Sequence, residues 1–439
     1  MRDVLVVGLV VWGCLLALKR PWVGVMVWTW LSIMNPHRYA FGFAFDAPLA
    51  AGAAIATLVG LAVTKDRHSP FMGAPTVWLA LFTVWITLSW MVGLAPEYDY
   101  PQWNKVMKVF FMIFVALMLL RTKTHVMVLV WVCAGSLALL GAKGGFFTIV
   151  TGGAERVWGP PGSFIEDNNE FGLSLVMTIP LLRFLQLQLA VGWRRHVMTV
   201  LMLLCATAAA GTQSRGALLA ISAMALVLWW RGKSRWLGGV VIVCAAVSLV
   251  AFMPDSWSNR MSSISNYEAD RSALGRISAW WTAFGIAKDY IAGIGFNAAR
   301  ADLFARYSPY PDYVHAAHSI YFQVMGNHGF IGLFFFLMIF ISTYLMAGRL
   351  SRFAKANPQA RWCDELGAMC QVSLIGYGVG GAFLSLSYFD LQYNIMIMVV
   401  VASKWAQTSG WKTEPAPTGW ERHIQGLTTP TVRPKVQRV

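Results

Sequence analysis

An all-α, polytopic membrane protein of about twelve transmembrane helices with one large external loop is the fold class this sequence predicts, on three observations. Hydrophobic residues make up 57% of its 439 positions and charged residues 13%, with a mean hydropathy of +0.55, whereas a soluble domain carries roughly 25% charge. The apolar residues lie in long runs separated by charge or by Pro and Gly. Lys and Arg gather in every second gap between those runs, as the positive-inside rule requires of a chain threaded repeatedly through a bilayer.

Taken in order, the runs are Asp3 to Leu18, Trp22 to Met34, Ala47 to Thr64, Thr76 to Leu94, Val106 to Leu120, Val126 to Gly141, Phe171 to Leu189, Val197 to Thr212, Gly216 to Trp230, Trp236 to Met253, Phe330 to Met346, Leu366 to Leu386 and Leu391 to Trp405. A span needs about twenty residues, so the first two are short and twelve or thirteen crossings are expected. The first run has no small-residue cleavage site and further runs follow at once, so no cleavable signal peptide is expected.

Basic clusters at Lys19-Arg20, Lys65 to Arg67, Arg121 to Lys123, Arg194-Arg195, Arg231 to Arg235 and Arg349 to Arg361 assign those gaps, and the chain after Trp405, to the cytoplasm. Pro36 to Asp46, Pro96 to Asn104, Lys143 to Glu170, the tight turn at Arg215, the long loop and Ser387 to Asp390 then face outward. The net charge of +15 is therefore a signal of topology, and membrane lipids rather than nucleic acid are the expected partners. The chain divides into amino-terminal helices (1–142), central helices with an external loop at 143–170 (143–253), the large loop (254–317), carboxy-terminal helices (318–405) and a Pro- and Thr-rich tail expected to be disordered (406–439). The six cysteines sit inside or at the edge of apolar runs, without a Cys-x-x-Cys pair, and read as small buried hydrophobes.

The large loop is where chemistry is expected. It carries six basic and six acidic residues and holds Trp257, Trp280, Trp281, Phe284, Phe296, Phe304, Tyr307, Tyr310 and Tyr313, too much apolar surface for a disordered segment. Long ordered loops usually serve a site, and this one ends at His318, just before an apolar run.

Arg215, in Thr212-Gln213-Ser214-Arg215-Gly216, stands alone between two apolar runs. It reads either as an arginine snorkelling to the interface or as an anion clamp, because a guanidinium presents a planar fork of donors that matches phosphate. Its outward position, against the positive-inside bias, favours the clamp. In Arg156 to Glu170, the Pro and Gly residues define a turn and Asn168 or Asn169 is expected to cap the helix that begins at Phe171; Arg156, Glu166, Asn168 and Asn169 are candidates for binding a sugar. Gly275 to Phe284 reads as an amphipathic helix with Ile277, Trp280, Trp281 and Phe284 on one broad face, suited to the headgroup layer. Gly293 to Asn297 breaks it, and a second amphipathic stretch runs from Ala298 to Tyr307. Arg276 is displayed on the first of these helices, with Arg260, Arg271, Arg300 and Lys288 as competing charges.

His315 and His318 are three apart and are expected to share a helical face, with Ser319 beside them. The histidine at the mouth of the span is either a polar cap or a neutral imidazole acting as general base, since it titrates near neutrality without help. Glu166 and Asp167 lack a histidine at ligand spacing, and the histidine pair lacks a third ligand, so neither a metal nor a cofactor is expected. Gly329 and Gly332 would let another segment approach closely.

His318-Ser319, nine residues and Gly329-Phe330-Ile331-Gly332 resemble the His-(Asn/Ser/Arg)-x9-Gly-x-x-Gly pattern of bacterial lipopolysaccharide O-antigen ligases, within the O-antigen ligase/polymerase (Wzy-like) family. That family also shows a Ser-Arg-Gly turn like the one at Arg215, a Gly-Arg-x-x-x-Trp run like Gly275-Arg276 to Trp280 and a Gly-x-Gly like Gly293 to Gly295. The similarity extends from about Arg156 to Gly332; the amino-terminal runs match only in hydropathy. The resemblance implies a GT-C-like glycosyltransferase of the bacterial inner membrane, its active site facing the periplasm. The implied donor is a glycan on undecaprenyl diphosphate, and the implied acceptor is a sugar hydroxyl of lipid A-core. Arg215 and Arg276 would hold the diphosphate and His318 would take the acceptor's proton, without a metal. An O-antigen polymerase or a protein O-glycosylation ligase would use the same donor, and a lipid or glycan transporter is the alternative from another class. Oligomeric state is not legible.

Overall fold

The computed structural model describes residues 1–232, positions 236, 239–240, 242–244, 247 and 254, and residues 271–414. Most of the expected span at 236–253, Trp257, Arg260, the side chain of Arg271 and the tail from 415 lie outside the described residues. All regular structure among the described residues is helical, as an all-α membrane protein requires: in hydrocarbon every backbone polar group must be satisfied within its own segment.

The helices follow the apolar runs, with ends that differ from them by up to about ten residues. They are α1 (Arg2–Lys19), α2 (Pro21–Met34), α3 (Leu49–Val63), α4 (Ala74–Met91), α5 (Pro96–Leu119), α6 (Lys123–Val150), α7 (Asn168–Gln188), α8 (Trp193–Gly211) and α9 (Arg215–Arg231). Then come α10 (Arg271–Asp289), α11 (Ala301–Tyr307), α12 (Ile320–Lys355), α13 (Arg361–Gly381), α14 (Asp390–Gln407) and a single turn, α15 (Gly410–Thr413). Proline stands at the start of α2 and α5, where its missing N–H costs nothing. Thr122, Asp167 and Ser214 cap α6, α7 and α9 with their side chains.

By length and composition, five described helices can cross a membrane: α4, α5, α6, α7 and α12. That is fewer than the twelve or thirteen crossings expected, for identifiable reasons. α2 and α3 are apolar but only 14 and 15 residues long. α13 and α14 dilute their apolar runs with Gln371, Ser373, Asp390, Gln392 and Asn394, all buried. α14 is the axis of the bundle, with nearly every residue from Asp390 to Ala406 buried against α12, α6, α13, α5 and α2. Past Trp405 the chain stays ordered for a turn, as Trp411 packs edge-on against Trp405 at 5.7 Å, so the structured part extends beyond the expected tail boundary at 406.

α12 is broken at Gly329 (φ 68°, ψ −175°), which separates a short polar start from the apolar run read at Phe330. Two carbonyls at the break are taken by other segments: Asn327 O accepts from Ile294 N (2.9 Å), Gly295 N (3.1 Å) and Ser89 Oγ (3.0 Å), and His328 O accepts from Trp85 Nε1 (2.8 Å). A Cβ on Gly329 would lie 3.0 Å from the carbonyl carbon of Ile291, and one on Gly332 would lie 3.3 Å from Trp85 Cδ1. Both glycines therefore permit the close approach expected of them. Gly293 (φ 72°) and Gly295 (φ 113°) belong to the same joint, and Phe296 N donates to Asp99 Oδ2 at the start of α5 (2.7 Å). The end of the long loop is thereby fastened into the bundle.

Candidate active site

Four segments meet at the end of the bundle that carries the long loop. The first is the start of α7. Its cap is Asp167, which accepts from Asn169 N and Asn169 Nδ2 at 2.8 Å each, so the helix begins at Asn168, three residues before the expected Phe171, and neither asparagine is the cap. Asn168 is buried and donates its amide to Thr212 O (2.6 Å), tying α7 to the turn between α8 and α9. One turn on, Glu170 is 6% exposed; its Oε1 accepts from Ser385 N (3.3 Å). The preceding loop folds on itself: Glu166, exposed, accepts from Gly162 N (2.8 Å) and closes the Pro-Pro-Gly turn.

The second segment is the turn that delivers Arg215. Gln213 adopts φ 55°, a left-handed conformation costly for a residue with a Cβ. Its amide is held at both ends, accepting from Arg156 Nε (3.4 Å) and donating to Gly153 O (3.2 Å). Ser214 then caps α9, so half-buried Arg215 stands at the first helical position, where the helix dipole adds to its positive charge. Buried Gly216 lets the chain pass, since a Cβ there would lie 3.4 Å from both Phe383 Cβ and Leu384 Cγ.

The third is α10. Its buried face is built of small residues, Gly275, Ser278, Ala279, Thr282, Ala283 and Ala287 with Ile286, spaced for one side of a helix and packed on α12. The broad face expected here is present, with Ile277, Trp280, Trp281 and Phe284 lining one apolar groove with Phe322. Trp281 and Phe284 point outward, 55% and 40% exposed, while Trp280 stacks on Phe322 at 4.9 Å and donates to Ala317 O (2.7 Å). A Cβ on Gly275 would lie 3.2 Å from His315 Cδ2, so glycine here lets His315 approach the helix that carries Arg276. α11 starts at Ala301 rather than Ala298.

The fourth is the approach to α12. His315 and His318 do not share a helical face, because the helix starts only at Ile320; an irregular stretch brings their ring centroids to 5.1 Å. His318 takes φ 41°. Burial first, and then the charges of Arg276 and His315, push its imidazole down to about 4, against a smaller opposing pull from Asp167. It is therefore neutral at neutral pH. Its Nδ1 and the Oγ of Ser319 are sealed from solvent with no partner.

A short strap between α13 and α14, residues 382–389, joins all four. Ser385 N reaches Glu170. Ser387 Oγ lies within hydrogen-bond distance of Ile320 O (3.1 Å) and Gln323 Oε1 (2.7 Å) and shares its one proton between them, Phe383 lies 6.4 Å from Trp280, and Phe383 and Leu384 press on Gly216. Arg276, His315, His318, Ser319 and Trp280 thus gather at one place with Asp167 and Glu170, and the Arg215 turn borders them through Asn168 and the strap. Arg156 and Glu166 are exposed and act on the margin, one bracing Gln213 and the other closing its own loop. Glu170 and the strap escaped the sequence reading, for Asp167 and Glu170 at a helix start look like ordinary capping residues and the strap has no motif.

The arrangement sets the Arg276 guanidinium beside a neutral imidazole at a buried, partly unsatisfied polar site, with the Arg215 turn on its border, which suits transfer chemistry with an anionic leaving group. Comparison with known proteins agrees. Residues 1–186 match a family of unknown function (DUF5935), and no curated protein matches the chain. Residues 200–337, which hold Arg215, Arg276, His318 and the Gly329 break, match the O-antigen ligase family, and this domain supports membership of the O-antigen ligase/polymerase (Wzy-like) family.

Proposed function

We propose that the protein is a glycosyltransferase that moves an O-antigen glycan from undecaprenyl diphosphate to a sugar hydroxyl of lipid A-core, at the periplasmic face of the bacterial inner membrane. The observation that carries the reading is His318, a neutral imidazole with a buried unpartnered nitrogen, set beside Arg276. As the bond from the anomeric carbon to the diphosphate breaks, negative charge grows on the leaving group. Fixed arginines facing it then bind the transition state more tightly than the ground state. Arg215, at a helix start, and Arg276 fill that role. A diphosphate leaves without being protonated, so one base on the acceptor side suffices, and His318 accepts the proton of the attacking hydroxyl.

The alternation of basic gaps supports the periplasmic orientation, and the outward Trp281 and Phe284 support an α10 resting against lipid, where a polyprenyl tail would lie. The test is transfer in vitro with purified protein, a polyprenyl-diphosphate oligosaccharide and separate acceptors, in the presence of EDTA. Product with lipid A-core alone is expected. Product only with a growing glycan or a protein would reassign the acceptor, and no product with any acceptor would favour transport.

A further inference from the structure

The scheme above leaves the proton on His318 without a counter-charge, and the structure holds a carboxyl pair that the scheme does not use. Glu170 lies in the first turn of α7, 6% exposed, where its carboxyl meets Ser385 N and Asp167. His318 Nδ1 and Ser319 Oγ, at the entry to α12, are buried and unpartnered. The two places adjoin, because the strap binds Glu170 through Ser385 and the first residue of α12 through Ser387, two positions on. Buried polar atoms are nearly always satisfied, so the two orphans beside the strap form a polar subsite that a hydroxyl group fits.

We propose that Asp167, held in place by its hydrogen bond with buried Glu170, is the positioning residue and counter-charge for His318 as the imidazole takes the proton of the acceptor hydroxyl, with Glu170 and Ser319 lining the hydroxyl's subsite. The inference rests on His318 being the base. In the step, the acceptor oxygen forms its bond to the anomeric carbon, the carbon–oxygen bond to the diphosphate breaks with its electron pair staying on the diphosphate, and the acceptor's proton passes to a ring nitrogen of His318.

The charged and titratable groups facing that ring are Arg276 from α10, His315 from the same approach and Asp167 from the entry to α7. Only Asp167 favours the protonated ring. Burial alone would push Asp167 up, yet the hydrogen bond it shares with Glu170, those from Asn169 and the nearness of His318 hold it below the ordinary carboxylate value. It is therefore an anion whenever the enzyme works. A carboxylate facing an imidazole fixes its orientation and stabilises the imidazolium, while the hydrogen bond between Asp167 and Glu170 needs one proton between the two carboxyls.

Asn caps a helix as well as Asp, so Asp167→Asn removes the charge and keeps the cap. With polyprenyl-diphosphate oligosaccharide as donor and lipid A-core as acceptor, its kcat is expected to fall about tenfold or more while KM for the donor stays unchanged. Asp167→Glu is expected to retain more of the rate. Independently of turnover, the titration of His318 is read by NMR of imidazole-labelled protein in the Arg276→Gln background, where it titrates at higher pH. Adding Asp167→Asn is expected to move the midpoint down. Glu170→Gln, which leaves the volume unchanged, is expected to lower kcat as well. Wild-type kcat in Asp167→Asn, or an unmoved His318 midpoint, overturns the proposal. A His318→Ala protein with near wild-type kcat removes the underlying base assignment instead, so the two failures are told apart.

Discussion

His318 and His328 are ten residues apart on the same stretch of chain, and the protein treats them in opposite ways. His328 is fully buried and satisfied, with Nδ1 at 2.9 Å from Ser89 Oγ and Nε2 at 2.6 Å from Tyr388 OH, and with Phe82 and Phe296 edge-on around it. His318 sits on a left-handed backbone with a sealed nitrogen that meets nothing. A satisfied buried polar network fixes a structure. Strain together with an unmet group is what a site awaiting a ligand retains. In the proposed function the first histidine belongs to chemistry, and the second belongs to the joint at the α12 break.

Replacing each histidine tests that division most directly. His318→Ala is expected to lower kcat by about a hundredfold to ten-thousandfold, the range of a lost general base, with thermal stability unchanged; a near wild-type rate would put the base elsewhere. Next in size, Arg215→Ala and Arg276→Ala are each expected to cost about a hundredfold or more in kcat, read in the same transfer assay, and donor binding should weaken along with the rate.

The pH profile sharpens the comparison. His318 acts only when neutral, and since its environment holds it at about 4, kcat/KM should be flat through neutrality and fall only as pH drops through that value. Arg276 lowers the basicity of His318, so in Arg276→Gln the residual activity should show its acid limb at higher pH. A limb that stays in place or moves lower would mean that the two groups do not interact.

The smallest expected effect on rate comes from His328→Leu. It leaves the Tyr388 hydroxyl without its His328 partner, at a cost of about 1–3 kcal/mol, while Ser89 keeps its bond to Asn327 O, so thermal denaturation of the detergent-solubilised protein should come earlier while kcat per folded molecule changes little. A collapse of kcat with intact stability would instead bring His328 into the chemistry.

The sequence by itself determined the helical class, the position of nearly every described helix and the identity of Arg215, Arg276 and His318 as residues of interest, because hydropathy and the cost of a lone arginine near lipid are local properties. It also located the glycines of the α12 joint. Their partners, Asn327 O and Asp99 for the loop and Trp85 for Gly332, come from distant segments and could not be read along the chain. For the same reason only the tertiary structure decided that Asp167 caps α7, that Trp280 stacks on Phe322, and that Glu170 reaches the site through the strap at 382–389. Burial and hydrogen-bond satisfaction depend on what packs opposite a residue, and here the opposing atoms come from α7, α9, α10 and α12 together.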